Sequence, residues 1–303
     1  MRQNMKNPYF ILVIAVLSIS TSAILVKATS APSGVIAFYR LLFTILLMTP
    51  FVLVSKTGEF KKINKKDWMY SIIAGIFLAF HFILWFESLN YTSIASSTVL
   101  VTLQPLFSFL GSYLFFKEKI SNKTIFAGAL AILGSIIISW GDFKISGTAL
   151  WGDILALIAC VLVTAYLLVG QSLRRRVSSI TYTYVVYCMS TITLLAYVFI
   201  KGDALVPYPA EEWTFFILLA IVPTLLGHSL INWSLKWLST NTISMAILFE
   251  PIGATLLAYI IFKETLYWSQ LLGGSIIFFG LILYLIEERR KKRGIQEKLL
   301  DPV

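Results

Sequence analysis

The sequence predicts an all-α integral membrane protein of ten transmembrane helices, arranged as two inverted five-helix repeats. Three observations predict it: an extreme apolar composition, ten long apolar runs, and a self-similarity at one fixed offset. Of the 303 residues, 58% are hydrophobic and 13% charged, and the mean hydropathy is +0.82. Soluble domains run about 45–50% apolar and about 25% charged, so a soluble globule has no interior large enough to hide this chain. Disordered chains are poor in Phe, Ile, Leu and Val, which excludes that class too.

A helix needs ~20 mostly apolar residues to cross the hydrocarbon. The runs that qualify are Pro8–Val26, Ser33–Val54, Trp68–Leu89, Ser93–Phe116, Ser121–Trp140, Ala149–Gln171, Ser179–Ile200, Glu211–Leu235, Ser239–Phe262 and Ser269–Ile286. They are too long for strands and lack strict alternation. Arg2 and Lys6 ahead of the first run, with small Ser22 and Ala23 at its end, resemble a signal peptide. A counterpart of this run later in the chain argues for its retention. The longest connections, around Ser55–Asp67 and Lys201–Ala210, are too short to fold alone, so no soluble domain is expected.

Ten spans place both termini on one side. The termini and the loops on their side carry 20 Lys and Arg; the opposite loops carry four, Lys27, Lys144, Lys201 and Lys263. Cytoplasmic loops collect basic residues, so both termini are expected in the cytoplasm and the protein in a bacterial inner (plasma) membrane. Lys61, Lys62, Lys65, Lys66, Arg174, Arg175, Arg176 and the tail Arg289–Arg293 then act as topology anchors. The net charge of +10 needs no nucleic acid to explain it. Cys160 and Cys188 form no CxxC pair and indicate neither a disulfide framework nor a zinc site.

An offset of 146 residues aligns the halves without a gap. Ser88/Ser234, Leu89/Leu235, Ser93/Ser239, Pro105/Pro251, Tyr113/Tyr259, Phe116/Phe262, Lys117/Lys263, Glu118/Glu264, Gly128/Gly274 and Gly134/Gly280 are identical pairs. Composition bias does not match Pro, Lys-Glu and Gly at one offset. The chain therefore divides into a first repeat (1–141), a second repeat (142–286) and a basic tail (287–303). Five spans per repeat is an odd number, so the second enters the membrane inverted. Inverted repeats can exchange conformations around a site near the midplane, which points to transport.

Three segments carry a resemblance to a known family: AFYRLL at Ala37–Leu42, SLNYTSIASSTVLVTLQPLFSFLGSYLFFKEKIS at Ser88–Ser121, and SLKWLSTNTISMAILFEPIGATLLAYIIFKETL at Ser234–Leu266. The chain resembles the EamA family of the drug/metabolite transporter superfamily over nearly its whole length, as two EamA repeats. The resemblance implies a ten-helix fold and membrane transport, with amino acids or unrelated metabolites as cargo in similar proteins. Arg40 matches the family's arginine in span two. The halves differ at one central position, where Gln104 stands opposite Glu250.

Polar groups at membrane depth are costly unless they face the bundle interior or water, and they are the candidate substrate-binding residues. Gln104 and Glu250 each precede a proline, which frees the carbonyl at i−4, here Val101 and Ile247. His81 and Trp85 lie one helical turn apart on span three, and His228 and Asn232 repeat that spacing on span eight. These four are expected to face a central cavity shared by both repeats. A histidine can carry a proton near neutrality or simply donate one hydrogen bond to a backbone carbonyl, and Trp85 can stack on a ring or cation or belong to an interfacial belt. Thr164 matches Ser18 at the same offset and reads equally as interhelical glue. Arg40 has three readings: pairing with Glu250, binding a substrate carboxylate, or snorkelling to the outer headgroups with a structural hydrogen bond, the last preferred. Ala127, Ala131 and Ser135 in span five, with Gly273, Gly274 and Gly280 in span ten, suit close helix packing.

The leading function is a secondary transporter of a small polar or amphipathic metabolite, such as an amino acid or an aromatic compound. Its expected partners are the bilayer, a small-molecule substrate and, as a candidate coupling ion, the proton; a monomer is favoured. No cofactor, metal or nucleic acid is expected. A GxxxxGK[ST] phosphate loop, HExxH and GxSxG do not occur in the sequence, which argues against an ATP pump and against the rival intramembrane enzyme built on buried His and Glu. A receptor reading leaves the inverted repeat unexplained.

Overall fold

Residues 7–139, 147–263 and 268–300 are described by the structure, a computed structural model. Arg2, Lys6, Trp140, Lys144 and Glu264 lie outside them. Among the described residues the regular structure is helical throughout, with no strand. Nine stretches are long and apolar enough to cross a membrane, and a tenth, Asn122–Ile137, is apolar but shorter. The chain is therefore a multi-pass membrane protein.

Four spans are continuous: span two (Ser33–Ser55), three (Lys65–Ser88), six (Ala149–Leu173) and seven (Ser179–Lys201). Span five is Asn122–Ser139. Span one breaks into Pro8–Ile19 and Ser22–Lys27. Its break falls in a run of hydroxyls that bond backward along the helix: Ser18 to Ile14 O, Ser20 to Val16 O and Thr21 to Ser18 O. Such back-bonding competes with the helix ladder. Span four is Ile94–Val101 then Gln104–Phe116, and span nine is Thr240–Ile247 then Glu250–Phe262. Both breaks sit just ahead of the repeat-related Pro105 and Pro251, which lack the N–H an uninterrupted helix needs. The tenth helix runs from Trp268 to Leu300, past the expected end at Ile286. The Glu, Arg and Lys that follow are good helix formers, so leaving the apolar run does not end the helix.

Span eight holds a feature absent from the sequence reading. It is α-helical over Ala210–Leu219, π-helical over Ala220–His228 and α-helical again over Ser229–Ser234. Pro223 lies within the π segment. The Thr224 hydroxyl donates to Leu219 O at 2.7 Å and Ser229 to Thr224 O at 3.2 Å, both five residues back. The wider turn moves every later side chain around the helix axis.

Local chemistry repeats with the sequence. Ser93 and Ser239 each cap the span that follows by accepting from the N–H three residues on. Lys117 and Lys263 both close their spans in the left-handed conformation, at φ 56° and 58°. Helix pairing has the same symmetry. Spans three and six pack together as do eight and one; two packs on eight as seven on three; four pairs with nine and five with ten. Adding five to each number returns the same set, as an inverted repeat requires.

One large buried cluster joins spans one, two, three, six, seven and eight, with Val101 of span four and Ile243 and Ile247 of span nine. Spans five and ten form a separate pair through small residues. A Cβ on Gly134 would lie 2.6 Å from the Gly273 carbonyl, and one on Gly280 2.9 Å from the Ala127 carbonyl. These glycines are repeat-related, and each lets backbone meet backbone. Gly280→Leu is therefore expected to force the pair apart and cost about 1–3 kcal/mol, as overpacking does. Thermal unfolding in detergent should show a lower midpoint, whereas Gly58→Ala, with open space around it, should not.

Candidate substrate site

Span three carries His81 and Trp85 inward because its packing against spans six and seven fixes its rotation. The breaks in spans four and nine bring Gln104 and Glu250 to the start of a half-helix, with Val101 and Ile247 one turn before them. All six side chains, with Ser22, His228 and four further aliphatic residues, line one cavity. Its free volume is about 20 Å³, room for about one water. The pairs Val101/Ile247 and Gln104/Glu250 enter from both repeats, so the cavity lies on the pseudo-symmetry axis.

The polar groups around it are poorly satisfied. His81 Nδ1 lies 3.0 Å from Ala159 O; a carbonyl only accepts, so Nδ1 carries the hydrogen and Nε2 of the neutral ring is an acceptor. The His81 ring stacks on Trp85 at 5.9 Å and stands 6.5 Å from His228. Trp85 Nε1 and Gln104 Oε1 are buried with no hydrogen-bond partner. The Glu250 carboxylate receives no hydrogen bond from the described residues, although the residue is 6% exposed. An unpaired polar atom in an apolar interior costs about 1–3 kcal/mol.

Three expected site residues lie elsewhere. Asn232 does not reach the cavity wall. Ile231 takes that place, and one residue is about 100° of helix rotation. Asn232 Nδ2 donates instead to the Tyr166 hydroxyl and to His228 O. Thr164 is also behind the wall, which Val163 supplies; its hydroxyl donates to Cys160 O at 2.8 Å. Arg40 neither snorkels nor pairs with Glu250. It is fully buried, and the interior offers it acceptors. Its Nε donates to Thr224 Oγ1 at 2.7 Å and its Nη1 to Ser22 Oγ at 2.9 Å, with the guanidinium 4.3 Å over Phe82. Arg40 thus joins span two to the break of span one and to the π segment that presents His228.

Both ends of the bundle are closed by contacts between the repeats. At the end bearing Lys61, Lys62 and Arg174–Arg176, Glu118 of the first repeat accepts from Gln171 Nε2 at 3.1 Å and Asn241 Nδ2 at 3.3 Å. Gln171 Oε1 accepts from Thr240 N at 2.5 Å, and Asn241 Oδ1 from Ser112 Oγ at 3.1 Å. At the opposite end Glu212 accepts from Ser30 N and Oγ at 2.8 and 2.7 Å, and Ser96 donates to Asp153 at 3.0 Å. All the described residues that line the cavity are buried, so it is occluded. In the sequence Gln171 marks only the end of span six and Glu118 only a repeat-matched turn. A polar residue at the end of a span reads as solvated headgroup surface.

A further tie at the basic end joins Asp67 to Arg176 at 2.7 Å, and Glu59 to Ser178 N at 2.7 Å and Thr181 Oγ1 at 2.9 Å. Burial works to raise the Glu59 carboxyl pKa, but the hydrogen bonds from Ser178 and Thr181 and the Lys56 charge outweigh it and hold it below the ordinary value. A carboxylate depressed on folding adds stability above its unfolded pKa of about 4.3, lost as pH falls through its folded pKa. Wild type should exceed Glu59→Gln in melting temperature at pH 7, by an amount below about 1 kcal/mol in free energy, and the gap should close on acidification below pH 4. A gap that stays constant would remove Glu59 from the tie.

The EamA-like transporter family model matches residues 6–140 and 150–286. The chain is 27% identical to the uncharacterized transporter YxxF of Bacillus subtilis, over 87% of this chain and 84% of that one. It is 22% identical to the riboflavin transporter ImpX of Fusobacterium nucleatum, over 78% and 85% of the two chains. A solved crystal structure 18% identical in sequence superposes with a TM-score of 0.75, covering 93% of this chain and 98% of that one, which supports the fold.

Proposed function

The chain belongs to the EamA-like transporter family, and from that premise we propose that it is a secondary transporter moving a small polar or amphipathic metabolite by alternating access. The observation that carries this reading is the occluded cavity at the meeting of the two broken helices. Repeat-related residues form its walls, and separate sets of inter-repeat hydrogen bonds close its two ends. Breaking one set while keeping the other opens the cavity to one side, and the inverted repeat makes the opposite movement one of equal kind. A cavity with room for one water must expand to admit a substrate, so transport requires that movement. Both repeats of one chain contribute to the described wall, which supports the monomer as the transporting unit.

Reconstitution in liposomes tests the reading. Uptake from a metabolite panel that includes amino acids and riboflavin, with and without a pH gradient, should reveal saturable counterflow of at least one compound. Acceleration by the gradient would identify the proton as coupling ion. Flux equal to that of empty liposomes for every compound would overturn the transport reading for this cavity.

The orientation we propose is the one the basic residues favour, with both termini in the cytoplasm of a bacterial cell. In a background lacking Cys160 and Cys188, cysteines at Lys62 and Arg175 should be protected from an impermeant thiol reagent in intact cells. A cysteine at Asp203 should react. The reverse pattern inverts the assignment.

A further inference from the structure

Resting on the transport reading, the charge and hydrogen-bonding inventory of the cavity wall narrows what it takes. Among the described residues the only carboxylate on the wall is Glu250, and no Lys or Arg lines it. Arg40 is the cationic side chain closest in the network, but it is held behind the wall by Thr224, Ser22 and Phe82. Its remaining Nη2 is buried and unpartnered without reaching the cavity lining. Also on the wall are Gln104 Oε1, buried with nothing to accept from, and His81, whose Nδ1 faces Ala159 O so that its Nε2 is the acceptor whenever the ring is neutral. The indole N–H of Trp85 is a buried donor without a partner, and the Gln104 amide and the His228 ring bring further N–H groups to the wall. The Trp85 ring, stacked with His81, is the large aromatic face of the wall, and Ile19, Val101, Val163, Leu167, Ile231 and Ile247 are its aliphatic part.

These groups ask for a particular complement. A ligand that closes with Glu250 must relieve a bare carboxylate of desolvation, and a bound cation does so directly. Its N–H groups can be shared with the Gln104 carbonyl. An aromatic face next to a cation adds attraction of its own, and the aliphatic side chains around it suit an apolar body. An anionic ligand meets the reverse conditions: one negative charge already present, more acceptors, and no cation on the wall. We propose that the cavity selects organic cations, namely a protonated amine on an apolar or aromatic body, with the ammonium between Glu250 and Gln104 and the body against Trp85.

Three probes of matched size separate charge from shape: 2-phenylethylamine, 3-phenylpropionate and 3-phenylpropanol. Their binding to the full chain in lipid nanodiscs should rank the amine at least tenfold tighter than both others. Glu250→Gln should remove that tenfold preference while retaining the wild-type elution profile. A second variant, Gln104→Glu, adds a carboxylate on the equivalent half-helix and should strengthen amine binding further. The proposal is overturned if the amine binds no better than the carboxylate or the alcohol, including the case in which none binds. It is equally overturned if Glu250→Gln keeps the preference. A cysteine at Ile247 distinguishes this failure from failure of the transport reading. If it reacts with impermeant reagent from each side of the membrane in turn, alternating access stands whichever probe wins. If it reacts from neither side, the cavity is not on a transport path and both readings fall.

Discussion

Glu250→Gln is expected to abolish concentrative uptake and to leave the protein folded. Glutamine is nearly isosteric with glutamate, and the equivalent position of the first repeat already holds Gln104 ahead of its own proline. The substitution therefore makes the two half-helix starts alike and removes only a charge. Nothing among the described residues donates to that carboxylate, so no hydrogen bond of the fold is lost. What is lost is the one charge on the cavity wall. Removing one partner of a buried ion pair costs about 3–5 kcal/mol, so uptake that depends on a cation or proton seated there should fall at least about a hundredfold. The measurement is initial uptake rate in proteoliposomes at matched protein content. Uptake close to wild type would reduce Glu250 to an architectural acceptor beside Pro251 and move recognition to His81, Trp85 and Gln104.

The features legible in the sequence are those set by length, hydrophobicity and proline. The apolar runs fix the spans within a few residues, and Pro105 and Pro251 mark the two breaks where Gln104 and Glu250 reach the cavity. His81 and Trp85 were readable because span three is a regular helix, so one-turn spacing means one face. The same logic misplaced Asn232. Its helix follows a π segment, and the wall position falls to Ile231. Pro223 alone gave no sign of which hydrogen bonds the segment would form, since that depends on the Thr224 hydroxyl bonding five residues back and on Arg40 clamping it. Arg40 was misread for a related reason. A lone arginine in an apolar run suggests snorkelling, whereas Ser22 and Thr224, distant in sequence, supply acceptors inside the bundle. The closing contacts were the least legible. Glu118 follows span four while Gln171 and Asn241 lie on spans six and nine, and each by itself looks like an ordinary polar helix end.

Those closing contacts lead to the second large effect. Glu118→Ala should shift the conformational equilibrium toward opening at the basic end. Glu118 stands on the first repeat and holds Gln171 and Asn241 of the second, so moving the repeats apart at that end breaks both hydrogen bonds. Hydrogen bonds to a charged group contribute about 1.5–3 kcal/mol each when sheltered, and partial exposure of Glu118 lowers the sum. A shift of about 1–3 kcal/mol corresponds to a 5–150-fold change in the ratio of states. The inverted repeat offers no equivalent restraint opposite: at the offset of 146, Gln171 corresponds to Leu25 and Asn241 to Ala95, neither able to donate from its side chain. Loss of Glu118 therefore removes a restraint from one end only, and the effect must have a direction. A cysteine at Leu167, on the cavity wall, should react at least fivefold faster with impermeant reagent applied from the basic end and more slowly from the other. Glu118→Gln, which keeps one acceptor oxygen, should fall between alanine and wild type. Equal rates from both sides in all three proteins would make Glu118 a helix-end residue with no part in gating. Faster reaction from both sides would mean that the substitution loosens the fold and leaves the choice between the two openings unchanged.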